Sequence, residues 1–194
     1  MSFFVIEGDN GTGKDTLAVK LQSEGFTILT YDKRMREMEK IAKNKKGKDR
    51  ILNFMAYNKA CGDLARQKRQ HKNVLLIRYF ISTLAAAYSD GILSHDETLK
   101  LLRDTYSKFE KPDLFIRLQC DQQKRIKRIE ERNSMDFDDK TVKRAVRYRW
   151  ITDEMKKNMD IKWVEIDTSD KSIDDVYAEV KELLDLDKHI ECLL

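Results

Sequence analysis

Near the start of the chain an apolar run, FFVI (residues 3–6), leads into the stretch EGDNGTGKDT, and Leu17, Ala18 and Leu21 then follow at helical spacing. No other feature constrains the fold as strongly. An unbroken apolar run is what a strand needs when both of its faces are covered, as in a parallel sheet. Gly8, Gly13 and Lys14 stand at the spacing G-x-x-x-x-G-K. Glycines let the backbone curl until successive N–H groups converge, and a helix starting near Lys14 adds its positive end. Lys14 brings a mobile charge for the outer phosphates of a bound nucleotide. A plain glycine turn joining strand to helix would use the same glycines, but the strand before and the helix after raise the match above a bare pattern.

The rest of the chain repeats the alternation. Apolar runs at 26–29, 74–77, 114–118 and 163–166 predict four further strands. Helical spacing and charge patterning predict helices over 32–44, from near 51 to near 70, and over 82–89, 94–109, 122–132, 140–158 and 173–186. The segments 45–49 (KKGKD) and 133–139 (NSMDFDD) read as loops. The expected fold is therefore α/β, a five-stranded parallel sheet flanked by helices. A length of 194 residues suits one domain over 1–194.

Composition removes several function classes. Apolar residues make up 41% of the chain, which is globular usage. No apolar run approaches the roughly 18 residues of a membrane span. The first residues lack the basic start and cleavage site of a signal peptide, so a cytoplasmic location is expected. Cys61, Cys120 and Cys192 are scattered and odd in number, which predicts reduced thiols. His71, His95 and His189 show neither metal-ligand nor catalytic-pair spacing. The net charge of +4 suits an enzyme of small anions and gives little support for nucleic acid as a partner.

Asp15 stands where such a loop usually carries a hydroxyl that coordinates magnesium. An aspartate reaches the ion directly or through water, and Thr16 offers a hydroxyl one residue later. Asp15 also suits the first turn of a helix, where the dipole favours negative charge. Asn10, Gly11, Thr12, Gly13, Lys14, Asp15 and Thr16 form the candidate nucleotide-binding set, with Asp15 and Thr16 the candidate metal ligands.

Four stretches carry a resemblance: FFVIEGDNGTGKDTLAVKL (3–21), RYFISTLAAAY (78–88), KPDLFIRLQCDQQKRIKRIEER (111–132) and KWVEIDTSDKSIDDV (162–176). Together they resemble the nucleoside monophosphate kinases of the P-loop NTPase class, most closely the thymidylate kinase family. The loop ending G-K-D-T also looks like that of some phage-type deoxynucleotide kinases. The resemblance implies transfer of a phosphoryl group from ATP, with Mg2+, to a nucleoside monophosphate. It implies small-molecule nucleotides as partners, a lid-like subregion over about 123–147, and a homodimer in which the apolar helix around 84–88 can serve.

Arg78 matches the family arginine that holds the acceptor phosphate, and Arg128 and Arg132 match positions at and before the lid. Residues 125, 128 and 132 share one helix face, which suits charge neutralisation on a transferring phosphoryl group; an ordinary solvated basic face has the same spacing. Arg144 and Arg147 are further candidates, and Asp121 reads as a helix cap. Lys14, Arg78, Arg128 and Arg132 are thus the candidate catalytic residues, and Asn10, Arg78, Ser82 and Tyr88 the candidate substrate-binding ones.

The departures from the family pattern fall on the acceptor side. Ile77 replaces an aspartate before Arg-Tyr, Asn10 replaces a loop aspartate, and Ala86 and Ala87 stand where the family carries an aromatic–glutamine pair. Thr30 to Arg34 replace an Arg-Glu-Pro-Gly segment, and Asn58 stands where an arginine is expected. Thymidine monophosphate is therefore one of several candidate acceptors. A non-catalytic nucleotide-binding protein on the same fold is the alternative, and a nucleic-acid end kinase rests on the basic helices alone.

Overall fold

In the computed structural model, which describes residues 1–131 and 142–191, five parallel strands form one sheet in the order β2-β3-β1-β4-β5. The strands are β1 (Phe3–Gly8), β2 (Thr27–Ile28), β3 (Val74–Ile77), β4 (Leu114–Gln119) and β5 (Trp163–Asp167). The helices are α1 (Lys14–Ser23), α2 (Lys33–Lys43), α3 (Gly47–Lys68), α4 (Phe80–Ser89), α5 (His95–Tyr106), α6 (Gln122–Glu130), α7 (Val142–Lys157) and α8 (Ile173–Glu191). All six residues of β1 are buried, as its apolar run requires of a central strand.

Alternation along the strands sends side chains to two cores. Phe3, Val5, Val74, Leu76 and Phe115 join α3, α4, α5 and α7 on one face. Phe4, Ile6, Leu75, Ile77, Ile116 and Leu118 join α1 and α8 on the other. Phe80 stacks on Phe109 with centroids 4.6 Å apart and lies edge-on to Phe115, filling the first core.

The structure shortens some predicted elements for local reasons. The second strand keeps only Thr27–Ile28, because Leu29–Tyr31 turn into a 3-10 helix ahead of Asp32, whose side chain caps α2 through the amides of Arg34 and Met35. Helix α5 starts at His95 because Ser94 and Glu97 form a reciprocal capping box. The expected loop over 45–49 is cut short by α3, which begins at Gly47. Asp121 caps α6, accepting from the amides of Gln123 and Lys124, in line with the sequence reading. The predicted loop 133–139 and Arg132 lie outside the described residues, as does part of the predicted lid-like subregion.

One expectation is corrected in detail. The apolar helix around 84–88 is α4, and its Leu84 and Ala85 are fully buried within this chain. They pack in the same core as Ile151 and Met155 of α7, so Leu84 and Ala85 are not offered to a second copy, while Ala86 and Tyr88 are half-buried. Among the described residues Cys61 and Cys120 are both buried and unpaired, and no helix is long and apolar enough to cross a membrane.

The topology opens a crevice in one place. Strands β1 and β3 are in register from Phe3↔Val74 to Ile6↔Ile77, whereas β1 runs two residues further against β4, to Gly8↔Leu118. Beyond Ile77 the chain turns away, so the carboxyl ends of β1 and β3 part. In open α/β sheets this is where ligands bind.

Candidate active site

The loop between β1 and α1 folds back on itself. The carbonyl of Asp9 accepts from Thr12 Oγ1 at 2.9 Å and from Lys14 Nζ at 3.1 Å. Gly13, the cap of α1, is left-handed at φ 90°. Gly11 has φ 84°, and a Cβ there would lie 2.8 Å from Arg125 Cγ, so α6 packs directly on the loop. Arg125, 1% exposed, donates from Nη1 to the carbonyl of Asn10 at 3.2 Å.

Lys14 is only 4% exposed. Burial, and then the nearby charge of Arg78, lower its pKa to about 7, against the opposing pull of Asp15, Asp9 and Glu7. A desolvated ammonium at the start of a helix gains strongly from an arriving anion. Asp15 points outward, its side chain 69% exposed and 3.9 Å from Lys14 Nζ.

A cavity of about 320 Å³ flanks this loop, lined by Gly11, Thr12, Thr16, Arg128, Ile173 and Val176 among others. Arg128 builds its wall. It donates to the carbonyl of Thr168 at 2.6 Å and to Thr168 Oγ1 at 3.2 Å, holding the segment between β5 and α8. Thr168 Oγ1 in turn lies 3.3 Å from the carbonyl of Thr12. The predicted arginine thus stitches the far wall to the glycine loop.

Arg78 lies on the opposite side of the loop. Among the described residues it is the one non-glycine with positive φ, 63°. For an L-residue that conformation costs about 1–2 kcal/mol. Its guanidinium donates from Nη2 to Asn10 Oδ1 at 2.6 Å, which brings two predicted substrate-binding residues together. Burial opposes the charge on Arg78, but the Tyr148 phenol and the carboxyls of Glu7, Asp9 and Asp15 outweigh it and raise its pKa. A small cavity of about 40 Å³ lies here, lined by Asp9, Asn10, Arg78, Ala86, Arg144 and Tyr148, with Ala145. Ala86, noted in the sequence as a departure, is therefore part of this wall.

Other predicted residues sit elsewhere. Ser82 lies beneath the cavity, donating to Glu7 Oε2 and accepting from Tyr148 OH at 2.8 Å. The Tyr88 ring packs against Trp150 at 5.7 Å and under Arg147 at 4.7 Å rather than lining the cavity. Ile77, 7% exposed, packs in the core of α1 and α8. Asn58 is buried and pins α3 to α4 through Thr83 Oγ1 at 2.9 Å.

Three residues join the site without having been read from the sequence: Glu7, Tyr148 and Arg149. Glu7 is 2% exposed at the end of β1. Burial raises its pKa above the usual carboxyl range, against the lowering effect of hydrogen bonds from Ser82 and Tyr79. A lone acid ending an apolar run was the signal for it. Arg149, on α7, reaches Asp9 Oδ2 at 3.4 Å and the carbonyl of Cys120 at 3.3 Å. Nothing in local spacing announces that contact.

Lysine and arginines thus ring one glycine loop, with a cavity on each side. A match to the thymidylate kinase family model over residues 6–180 decides the relationship. The chain belongs to the thymidylate kinase family. A probable thymidylate kinase of Sulfurisphaera tokodaii is 31% identical over 157 residues, 77% of this chain and 80% of its own length. The chain is accordingly a nucleoside monophosphate kinase, a transferase of phosphoryl groups between nucleotides.

Solved structures agree on the fold. The thymidylate kinase of Candida albicans superposes with a TM-score of 0.74 at 19% identity, covering 96% of this chain and 92% of that one. The thymidylate kinase of Ehrlichia chaffeensis gives 0.65 at 18% identity, with 95% and 98% covered. The deoxyadenosine kinase of M. mycoides, solved with bound dATP, gives 0.64 at 15% identity, with 94% and 99% covered.

Proposed function

We propose that this thymidylate kinase family member transfers a phosphoryl group from ATP to a nucleoside or deoxynucleoside monophosphate whose pocket departs from the thymidine monophosphate pattern. The observation that carries this reading is the pairing of Arg78 with Asn10 across the loop from Lys14. Lys14 and the loop amides of 10–16 hold the ATP phosphates, whose nucleoside occupies the larger cavity. Arg78 grips the acceptor phosphate with two donors. Arg128 walls the donor cavity, and arginines of the lid-like subregion 123–147, Arg132 among them, close over the transfer and exclude the water that would divert it to hydrolysis.

The exposed carboxylate of Asp15 and the hydroxyl of Thr16 are oxygen donors suited to Mg2+, which keeps several waters and shares its ligands with nucleotide phosphates. When bound, the ion neutralises charge between the phosphates. A homodimer in the cytoplasm is the setting this reading implies.

Ala86 and Ala145 put small side chains where a base would lie, which leaves room for acceptors other than thymidine monophosphate. The Candida albicans enzyme's structure is described as revealing broad substrate specificity, and the M. mycoides kinase has also been solved with dCMP and dCDP. The test mixes the protein with ATP, magnesium and each common nucleoside monophosphate, and measures ADP. At least one acceptor is expected to drive ADP formation well above the acceptor-free rate. Acceptor-independent background across the whole panel would overturn the reading.

The second reading, a nucleotide-binding protein without turnover, rests on Ile77, a buried apolar side chain at the position where the family pattern carries an aspartate. It predicts calorimetric binding of ATP with no ADP formed.

A further inference from the structure

Arg78 has to hold its strained backbone before it can be aimed at anything. Two consecutive amides fix it. Its own N–H donates to the carbonyl of Ile6 at 2.9 Å, and the next N–H, that of Tyr79, donates to Glu7 Oε1 at 2.9 Å. The first bond is an ordinary strand contact, whereas the second is supplied by a side chain. A positive φ at a bulky residue persists only where its surroundings over-determine it.

The Glu7 carboxylate is itself immobilised. Its second oxygen accepts from Ser82 Oγ, which accepts from Tyr148 OH. Tyr79 is held beyond the amide as well. Its ring lies in the aromatic core, 4.8 Å from Phe80 and 5.6 Å from Phe109, and its hydroxyl donates to the carbonyl of Glu110 at 3.3 Å. A Cβ at position 62 would collide with that hydroxyl, so Gly62 makes the space for it.

We infer that Glu7 is a positioning residue: its carboxylate locks the Arg78–Tyr79 peptide so that the left-handed Arg78 presents its guanidinium to the acceptor side of the loop. The inference rests on the reading that Arg78 grips the acceptor phosphate. Glu7 touches no substrate in this role. What matters is the reach of its oxygen to the Tyr79 amide rather than its charge.

Two substitutions separate reach from charge. Glu7→Gln keeps an oxygen at the same distance and removes the charge. Glu7→Asp keeps the charge and withdraws the oxygen by one methylene. Steady-state kinetics with the best acceptor of the panel are expected to show Glu7→Gln within about 3-fold of wild type in both KM values. Glu7→Asp is expected to raise the acceptor KM by 10-fold or more, with the ATP KM within about 2-fold. In a crystal structure of Glu7→Asp, residue 78 should relax to negative φ and lose its contact with Asn10.

The reverse order, with Asp active and Gln inactive, would show that the charge acts in the chemistry and would overturn the inference. Unchanged kinetics in both variants with only a lower Tm would reduce Glu7 to a packing role, overturning it equally. Arg78→Ala tests the underlying reading separately, by the same acceptor KM. Should that KM not move, the backbone of residue 78 in the Glu7→Asp structure still decides whether Glu7 sets its conformation.

Discussion

Lys14 shows how a single residue acquires its properties from burial. In the unfolded chain its amine titrates near 10.5, and in the folded site near 7, so between these values the unfolded chain binds the proton that the native one releases. Stability therefore rises with pH across that window, by the linkage relation. In wild type, thermal unfolding without nucleotide should show Tm increasing from pH 7 towards pH 10, and Lys14→Met should flatten that rise. An anion beside Lys14 reverses the shift. Calorimetry of ATP binding at pH 8 in two buffers of different ionisation enthalpy should reveal uptake of roughly one proton. Lys14 and the glycines were legible in sequence because the loop is local, each residue lying within a few positions of its partners. Arg78 was legible through the resemblance, but its left-handed backbone was not, since that follows from contacts with Ile6 and Glu7 some seventy positions away.

At the scale of elements, the site is assembled by helix ends brought against strand ends. Helix α6 supplies both the buried Arg125 under Asn10 and the Arg128 that holds the segment after β5. Its arginine face was visible at helical spacing, yet the same spacing fits a solvated face. Packing on Gly11 decides the matter for Arg125. Charged hydrogen bonds of the Arg128 kind contribute about 1.5–3 kcal/mol each. Arg128→Ala is expected to raise the KM for ATP by about 10-fold, corresponding to about 1.4 kcal/mol. The acceptor KM should stay within about 2-fold, because Arg78 lies across the loop; initial rates with each substrate varied in turn check this. Helix α7 was predicted as a helix, but its attachments were not. Tyr148 to Ser82, Arg149 to Asp9 and Arg144 to Asp90 all join residues more than fifty positions apart.

Across the whole molecule, two cores clamp one sheet, and the site sits where the strand order diverges. Phe80, fully buried beside Tyr79, Phe109 and Phe115, belongs to the core directly behind Arg78. Phe80→Ala should lower unfolding free energy by about 3–5 kcal/mol, measured by urea denaturation at unchanged m-value. By itself the sequence determined the α/β class, the five strands, the glycine loop with its lysine, and the drift of residues 10, 77 and 86 from the family pattern. These features are periodic or contiguous, so each carries its own physical signature. Only the tertiary structure decided that Glu7 is buried under Arg78, that Tyr88 packs on Trp150 and away from the small cavity beside Arg78, and that α4 spends its apolar face inside the chain. Those outcomes depend on which elements meet, and burial and distance between remote segments are not encoded at any one position.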